Sequence, residues 1–122
     1  GGSGDAIIEN LIIAVGDETT ELAAGAGQVT FRMPYAFTVT DVRASLKTAS
    51  SSGNPTIDIN EGGGSILSTK LSIDAGEKTS VTAATPAVIS DAALADDSEI
   101  TIDVDNAGTG AAGLKVVLIG HQ

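Results

Sequence analysis

Apolar and polar residues alternate along most of this chain with a period of two, the pattern of extended strands that bury one face. TIDIN sets Ile57 and Ile59 on one side and Asp58 and Asn60 on the other. EITIDVD sets Ile100, Ile102 and Val104 against Thr101, Asp103 and Asp105. Both read as half-buried antiparallel strands. VTFRM turns Val29, Phe31 and Met33 inward, and Pro34, lacking a backbone donor, makes that strand stop, bend or lie at an edge. In FTVTDVRASL the apolar phase begins at Phe37 and Val39, then slips by one residue to Val42, Ala44 and Leu46. An extra residue near Thr40 and Asp41, a β-bulge, accounts for the slip.

GLKVVLIG departs from simple alternation. Leu114, Val116 and Leu118 share one face while Val117 and Ile119 occupy the other, so both faces are expected to be covered, one by an opposing sheet and the other by a second subunit. Between the strands lie TASSSGNP, EGGGS, DAGEK and DNAGTGAAG, all rich in turn-forming residues. They recur at roughly the 8 to 12 residue spacing of an all-β sandwich or barrel. ISDAALADDSE, from Ile89 to Glu99, reads as a loop in which Ser90 or Asp91 caps a single helical turn. The pattern therefore predicts an all-β fold, an antiparallel β-sandwich.

Composition narrows this further. The 122 residues fit one compact domain, and 42% apolar with 18% charged residues is ordinary for a folded chain. Aromatic residues are only 2%, and both phenylalanines, the one tyrosine and the one methionine fall between Phe31 and Leu46. Phe31, Met33 and Phe37 are expected to be the bulky core fillers of two consecutive strands joined at PYA. Tyr35, at the turn, is divided between core edge and contact surface. Sixteen acidic against six basic residues leave a net charge of −10, which repels phosphates and anionic headgroups, so neither nucleic acid nor membrane insertion is expected. The apolar run AIIENLIIAV is far short of the roughly 20 residues that span a bilayer. GGSG at Gly1–Gly4 reads as a linker, with the domain running from Asp5 to Gln122.

The residues carry little catalytic chemistry. His121 is the only histidine and is expected to be solvated, and no serine sits in a nucleophile elbow. Asp58, Glu61, Asp103 and Asp105 are the nearest carboxylates to a glycosidase pair, but the chain has no tryptophan to floor a sugar cleft. The acidic groups DINEGGG and DVDNAGTG offer oxygen ligands of the kind calcium takes, yet neither matches the twelve-residue calcium loop, and a solvated face is the favoured reading. GAG and GGG read as turns. No enzyme activity, cofactor or metal is expected.

VTFRMPYAFTVTDVRASL, ILSTKLSIDAGEKTS, TAATPAVISDAALADDSEITIDVD and GLKVVLIG together resemble a module that recurs in structural proteins of tailed bacteriophages and prophages, among tail-fibre and other virion-surface components. The likeness runs from about Val15 to Gly120. What precedes Val15 reads either as a lead-in from a longer fibre or as a truncation point. The resemblance implies a sandwich of jelly-roll type, a place on the phage particle surface, other virion proteins as partners, and a homo-oligomer, with a trimer favoured. It implies no catalytic residue.

Two functions follow. In the first the chain is a non-enzymatic structural module, a capsid decoration or a tail- or head-fibre component, assembling through Val117 and Ile119. In the alternative it is a receptor-binding domain that meets host cell-surface polysaccharide through loops carrying Tyr35, Asn54, Ser65 and Asn106, whose polar groups would hydrogen-bond sugar hydroxyls.

Overall fold

The structure, a computed structural model, describes residues 7–122; the linker expected at Gly1–Gly4 and the domain start at Asp5 lie outside the described residues. The strands are β1 (Glu9–Val15), β2 (Gly25–Arg32), β3 (Phe37–Ser45), β4 (Thr56–Glu61), β5 (Gly64–Ser65), β6 (Leu67–Thr69), β7 (Leu71–Ser72), β8 (Val88–Ile89), β9 (Ala93–Leu94), β10 (Glu99–Asn106) and β11 (Leu114–His121). One sheet has the order β1-β11-β3-β9 and the other β2-β10-β4-β5, with β7 also paired to β4 and a small β6–β8 ladder beside them. All pairings are antiparallel. The fold is a β-sandwich in which β1 to β4 alternate between the sheets, β10 joins β4 in the second sheet and β11 returns to the first.

Alternation decides which side chains fill the space between the sheets. Ile57, Ile59, Ile100, Ile102 and Val104 point in from one sheet, and Val39, Val42, Ala44, Leu114, Val116 and Leu118 from the other, all at most 5% exposed. Fully burying one such large aliphatic side chain stabilises the fold by on the order of 1.5–3 kcal/mol. Met33 and Phe37 are buried in the same core, while Phe31 is only half-buried against it. β2 ends at Arg32, ahead of Pro34. The Tyr35 ring leans on Phe37, centroids 6.1 Å apart and tilted by 46°. The segment before Val15 is an integral strand, since β1 pairs with β11 along its whole length.

The phase slip in β3 is a bulge. Asp41 pairs with Ile119 and Val39 with Gly120, which leaves Thr40 as the additional residue. The Val42 amide donates to Asp41 Oδ1 at 2.9 Å, and the Thr40 hydroxyl donates to the Ile119 carbonyl at 3.3 Å. The bulge also explains Gly120. A Cβ there would lie 1.9 Å from the Thr38 carbonyl oxygen and 3.1 Å from the Phe37 ring, so the strand crossing requires a residue without a side chain. At the other glycine-rich stretch, Gly62 and Gly63 take φ of +57° and +88° and close the two-residue β4–β5 hairpin, a turn that needs positive φ at both central positions.

Two expectations are corrected. Ile89–Glu99 contains no helical turn: it completes β8 and then forms β9, which pairs with Phe37 and Thr38 while the Ala92 carbonyl accepts from the Val39 amide at 2.8 Å. The open edge of β3 takes up these backbone groups more fully than an isolated helical turn would. The one helical turn among the described residues is a 3-10 turn at Ser80–Thr82, capped by the Thr79 hydroxyl, which accepts from the Val81 amide. Second, Asp58 and Asn60, assigned to a wet face, are only 7% and 8% exposed. Among the described residues no helix is long and apolar enough to cross a membrane.

Gly120→Ala is expected to lower the unfolding free energy by about 1–3 kcal/mol, the usual cost of an extra methyl in a packed site. Urea denaturation would measure it, and an unchanged midpoint would mean that the Thr38 carbonyl moves aside freely.

Candidate functional site

The two outer faces of the sandwich differ in kind. On the β1-β11-β3 face, pairing register builds rows across the sheet: Ile12, Val117 and Arg43 in one, Asn10, Ile119 and Asp41 in the next, Ala14, Lys115 and Ser45 in a third. Val117 and Ile119 are half-buried by these neighbours, so the chain itself covers the outer side of β11 only in part. Ile12 is 65% exposed, and Ile7 and Ile8, just ahead of β1, are 78% and 68% exposed. Arg43 Nε lies 3.3 Å from Asp41 Oδ2, making an exposed pair of small energetic weight. Lys115, in the third row, pairs with Glu18, so the result is an apolar strip between two ion pairs, on a chain whose net charge is −10.

The opposite outer face is polar and internally bonded. Asn60 donates from Nδ2 to Asp103 Oδ2 at 2.8 Å and to the Thr101 hydroxyl at 3.3 Å. Asp103 also accepts from the Gly27 amide at 2.7 Å. Asp58 accepts from the Ser65 hydroxyl at 2.5 Å. The Lys70 ammonium sits 2.5 Å from Asp105 Oδ2 and 3.9 Å from Asp58 Oδ2. The hydrogen bond to Asp105, reinforced by the charges of Asp105, Asp58 and Asp103, pushes the Lys70 pKa up. Carboxylates that the sequence offers to a cation thus converge on a lysine of the same chain. Among the described residues no group of three or more acidic, histidine or cysteine side chains is arranged to hold a metal ion.

The four residues assigned to glycan contact do not form one site. Asn54 and Asn106 lie at the same end of the sandwich, where the Ser51 amide donates to the Thr109 carbonyl at 2.9 Å. Each spends its side-chain oxygen on a loop amide, Asn54 on Ala75 at 2.8 Å and Asn106 on Gly108 at 2.9 Å. Ser65 lies on β5, its hydroxyl shared among Asp58, the Leu67 carbonyl and the Leu67 amide. Tyr35 occupies the opposite end, the length of β10 away, a span of roughly 25 Å at the usual rise of a strand. Hydrogen bonding to the Glu9 carboxylate, with some burial, raises the pKa of its hydroxyl. His121, expected to be solvated, is half-buried as a strand residue opposite Thr38.

Shallow cavities open at two places among the described residues. One, about 180 Å³, opens at the β3 bulge beside Asp41, Arg43, Ser72 and Ser80. The other, about 240 Å³, lies against the β1–β2 loop, lined by Asp17, Thr20, Glu21 and Gln28 among others. Asp17 is occupied there in capping its own turn: the Thr19 and Thr20 amides and the Thr20 hydroxyl donate to it, which lowers its pKa. Ser80 Oγ accepts from the Ala44 amide at 2.9 Å. Sequence reasoning missed Lys70 and the exposed Ile7, Ile8 and Ile12; the signal for the isoleucines was the apolar run AIIENLIIAV, too short for a membrane span.

In comparisons with known proteins, no family model, no curated protein and no solved structure matches this chain.

Lys70→Gln is expected to lower the thermal midpoint at pH 7, because Asp58, Asp103 and Asp105 lose their cation. Folding raises the Lys70 pKa, so its contribution is complete at neutral pH and is lost as an alkaline pH passes through the folded value, where the deficit of the variant should narrow. Melting curves at pH 7 and at a pH above the ordinary lysine value of about 10.4 test this; equal midpoints for the two proteins at pH 7 would remove Lys70 from the account of this face.

Proposed function

We propose that the chain is a non-enzymatic structural module of a bacteriophage particle, a capsid decoration or a tail- or head-fibre component, that associates with copies of itself. The observation that carries the assembly half of this reading is the outer face of β11. Val117 and Ile119 are half-buried beside a 65% exposed Ile12 on a sheet face that has no second layer among the described residues. Exposed apolar patches of this kind mark association surfaces.

The placement on a virion rests on the resemblance of the strand and loop segments, and the strand order supports it. The strand orders β1-β11-β3-β9 and β2-β10-β4-β5, with β1 to β4 alternating between the sheets, are compatible with a jelly roll, an architecture used in viral capsid and lectin domains. The resemblance favours three-fold assembly. Glycan recognition is the weaker reading, since the side-chain oxygens of Asn54, Ser65 and Asn106 already serve the protein's own backbone and carboxylates.

Light scattering on the chain with and without a calcium chelator tests the proposal. A mass above that of one chain, unchanged by chelation, is expected; a monomer at all concentrations would leave Val117 and Ile119 as surface residues and overturn self-assembly. Val117→Asp should reduce the mass to one chain while the far-ultraviolet circular dichroism stays that of a β-sheet protein. A variant that stays assembled in sedimentation would take Val117 out of the interface.

A further inference from the structure

β1 is the terminal strand of its sheet. It pairs with β11 along all seven residues on one side and, among the described residues, with no strand on the other. Such an edge presents backbone donors and acceptors to any strand that approaches. The remaining edges of the sandwich are blunted. β9, β5 and β7 are two residues long, and β2 is broken by a register shift between its pairings with Ile102 and Val104. β1 alone is long and regular, and it contains neither proline nor lysine.

We propose that this edge pairs with the same edge of a second copy, antiparallel about a two-fold axis at Asn10, joining the two sheets into one continuous sheet. The inference rests on the self-association reading above and adds a second contact, at the sheet edge, to the one through Val117 and Ile119. The residue pattern selects the register. Centring on Asn10 sets Ile8 opposite Ile12 of the second copy and Ile12 opposite Ile8, so that two side chains 68% and 65% exposed in the single chain cover one another. On the other face Ile7 meets Ile13, and Glu9 meets Leu11 rather than another carboxylate. A contact that uses the same patch on both partners is the form two-fold symmetry takes.

Charge opposes contact between copies least at this edge. Two chains of net charge −10 repel, so contact is least costly where the surface carries fewest carboxylates. Within β1 the only charged residue is Glu9, and Gln122 Nε2 already donates to both of its oxygens, at 3.0 and 3.2 Å. The repulsion is screened by salt, with a Debye length of about 10 Å at 0.1 M, so pairing strengthens as salt is added. A two-fold contact gives even-numbered assemblies, a dimer or a pair of trimers.

The chain has no cysteine, which makes a register-specific cross-link possible. Directly opposite residues of an antiparallel pair have Cα atoms about 4.5–5.5 Å apart, within the roughly 4.4–6.8 Å that a disulfide spans. Asn10→Cys, at an exposed position, should oxidise to a covalent dimer at least ~10-fold faster than Ile12→Cys, which faces Ile8, or Ala84→Cys, on a distant exposed turn. Circular dichroism of each variant checks that it is folded, and sedimentation of the unsubstituted chain at low and high salt supplies the mass. Fast cross-linking at Asn10 with an even-numbered assembly supports edge pairing. An assembled chain in which Asn10→Cys reacts no faster than Ala84→Cys overturns edge pairing and leaves self-association standing. A chain that stays monomeric in high salt and does not cross-link overturns both.

Discussion

The arrangement of this protein depends on two strands that arrive late in the sequence. β11 occupies the place between β1 and β3, and β10 the place between β2 and β4. Until both are inserted, neither sheet is continuous and the inward faces of Ile57, Ile59, Val42 and Ala44 lack the neighbours that bury them. The long strands therefore pair with partners distant in the chain, the kind of topology that folds slowly because loop closure precedes the contacts that offset it. Stability is correspondingly shared: a defect in β10 or β11 opens two ladders at once.

The same crossing order produces the difference between the outer faces. The β2-β10-β4 face is composed of Asp, Asn, Thr and Ser residues that bond to one another and to Lys70, and it satisfies itself. The β1-β11-β3 face carries an apolar strip of Ile, Val and Ala residues, flanked by Asn10, Lys115, Ser45 and the Arg43–Asp41 pair, and no second layer covers it among the described residues. A polar network and an apolar strip on opposite sides make the molecule directional, with one side suited to solvent and the other to protein.

Much of this architecture was legible because strand alternation is a local signal. The slip from Val39 to Val42 located the bulge, and the glycines after Glu61 located the hairpin. What escaped was set by distant residues. Asp58 and Asn60 follow the pattern of a wet face and become buried only because β5 and Lys70 lie over them, and no period in TIDIN encodes that cover. Ala93 and Leu94 form a strand because the edge of β3 offers hydrogen bonds, not because of their own preference. For the candidate surface, Val117 and Ile119 stood out by breaking alternation on β11. Ile8 and Ile12 did not, since only the strand order shows that β1 has a free side.

Glu9 faces Gly120 across the β1–β11 ladder, and the Gln122 side chain reaches back to the Glu9 carboxylate. Among the described residues the first and last strands thus meet at one end of the sandwich, beside Tyr35, with the Asn54 and Asn106 loops at the far end. A domain whose ends meet can be placed within a loop of a larger protein without stretching its host, and its chain can be re-joined and re-opened elsewhere with little strain. In mechanical terms a pull applied at Glu9 and at Gln122 would open the β1–β11 ladder one pair at a time from Glu9 and Gly120, while β3 holds the other side of β11.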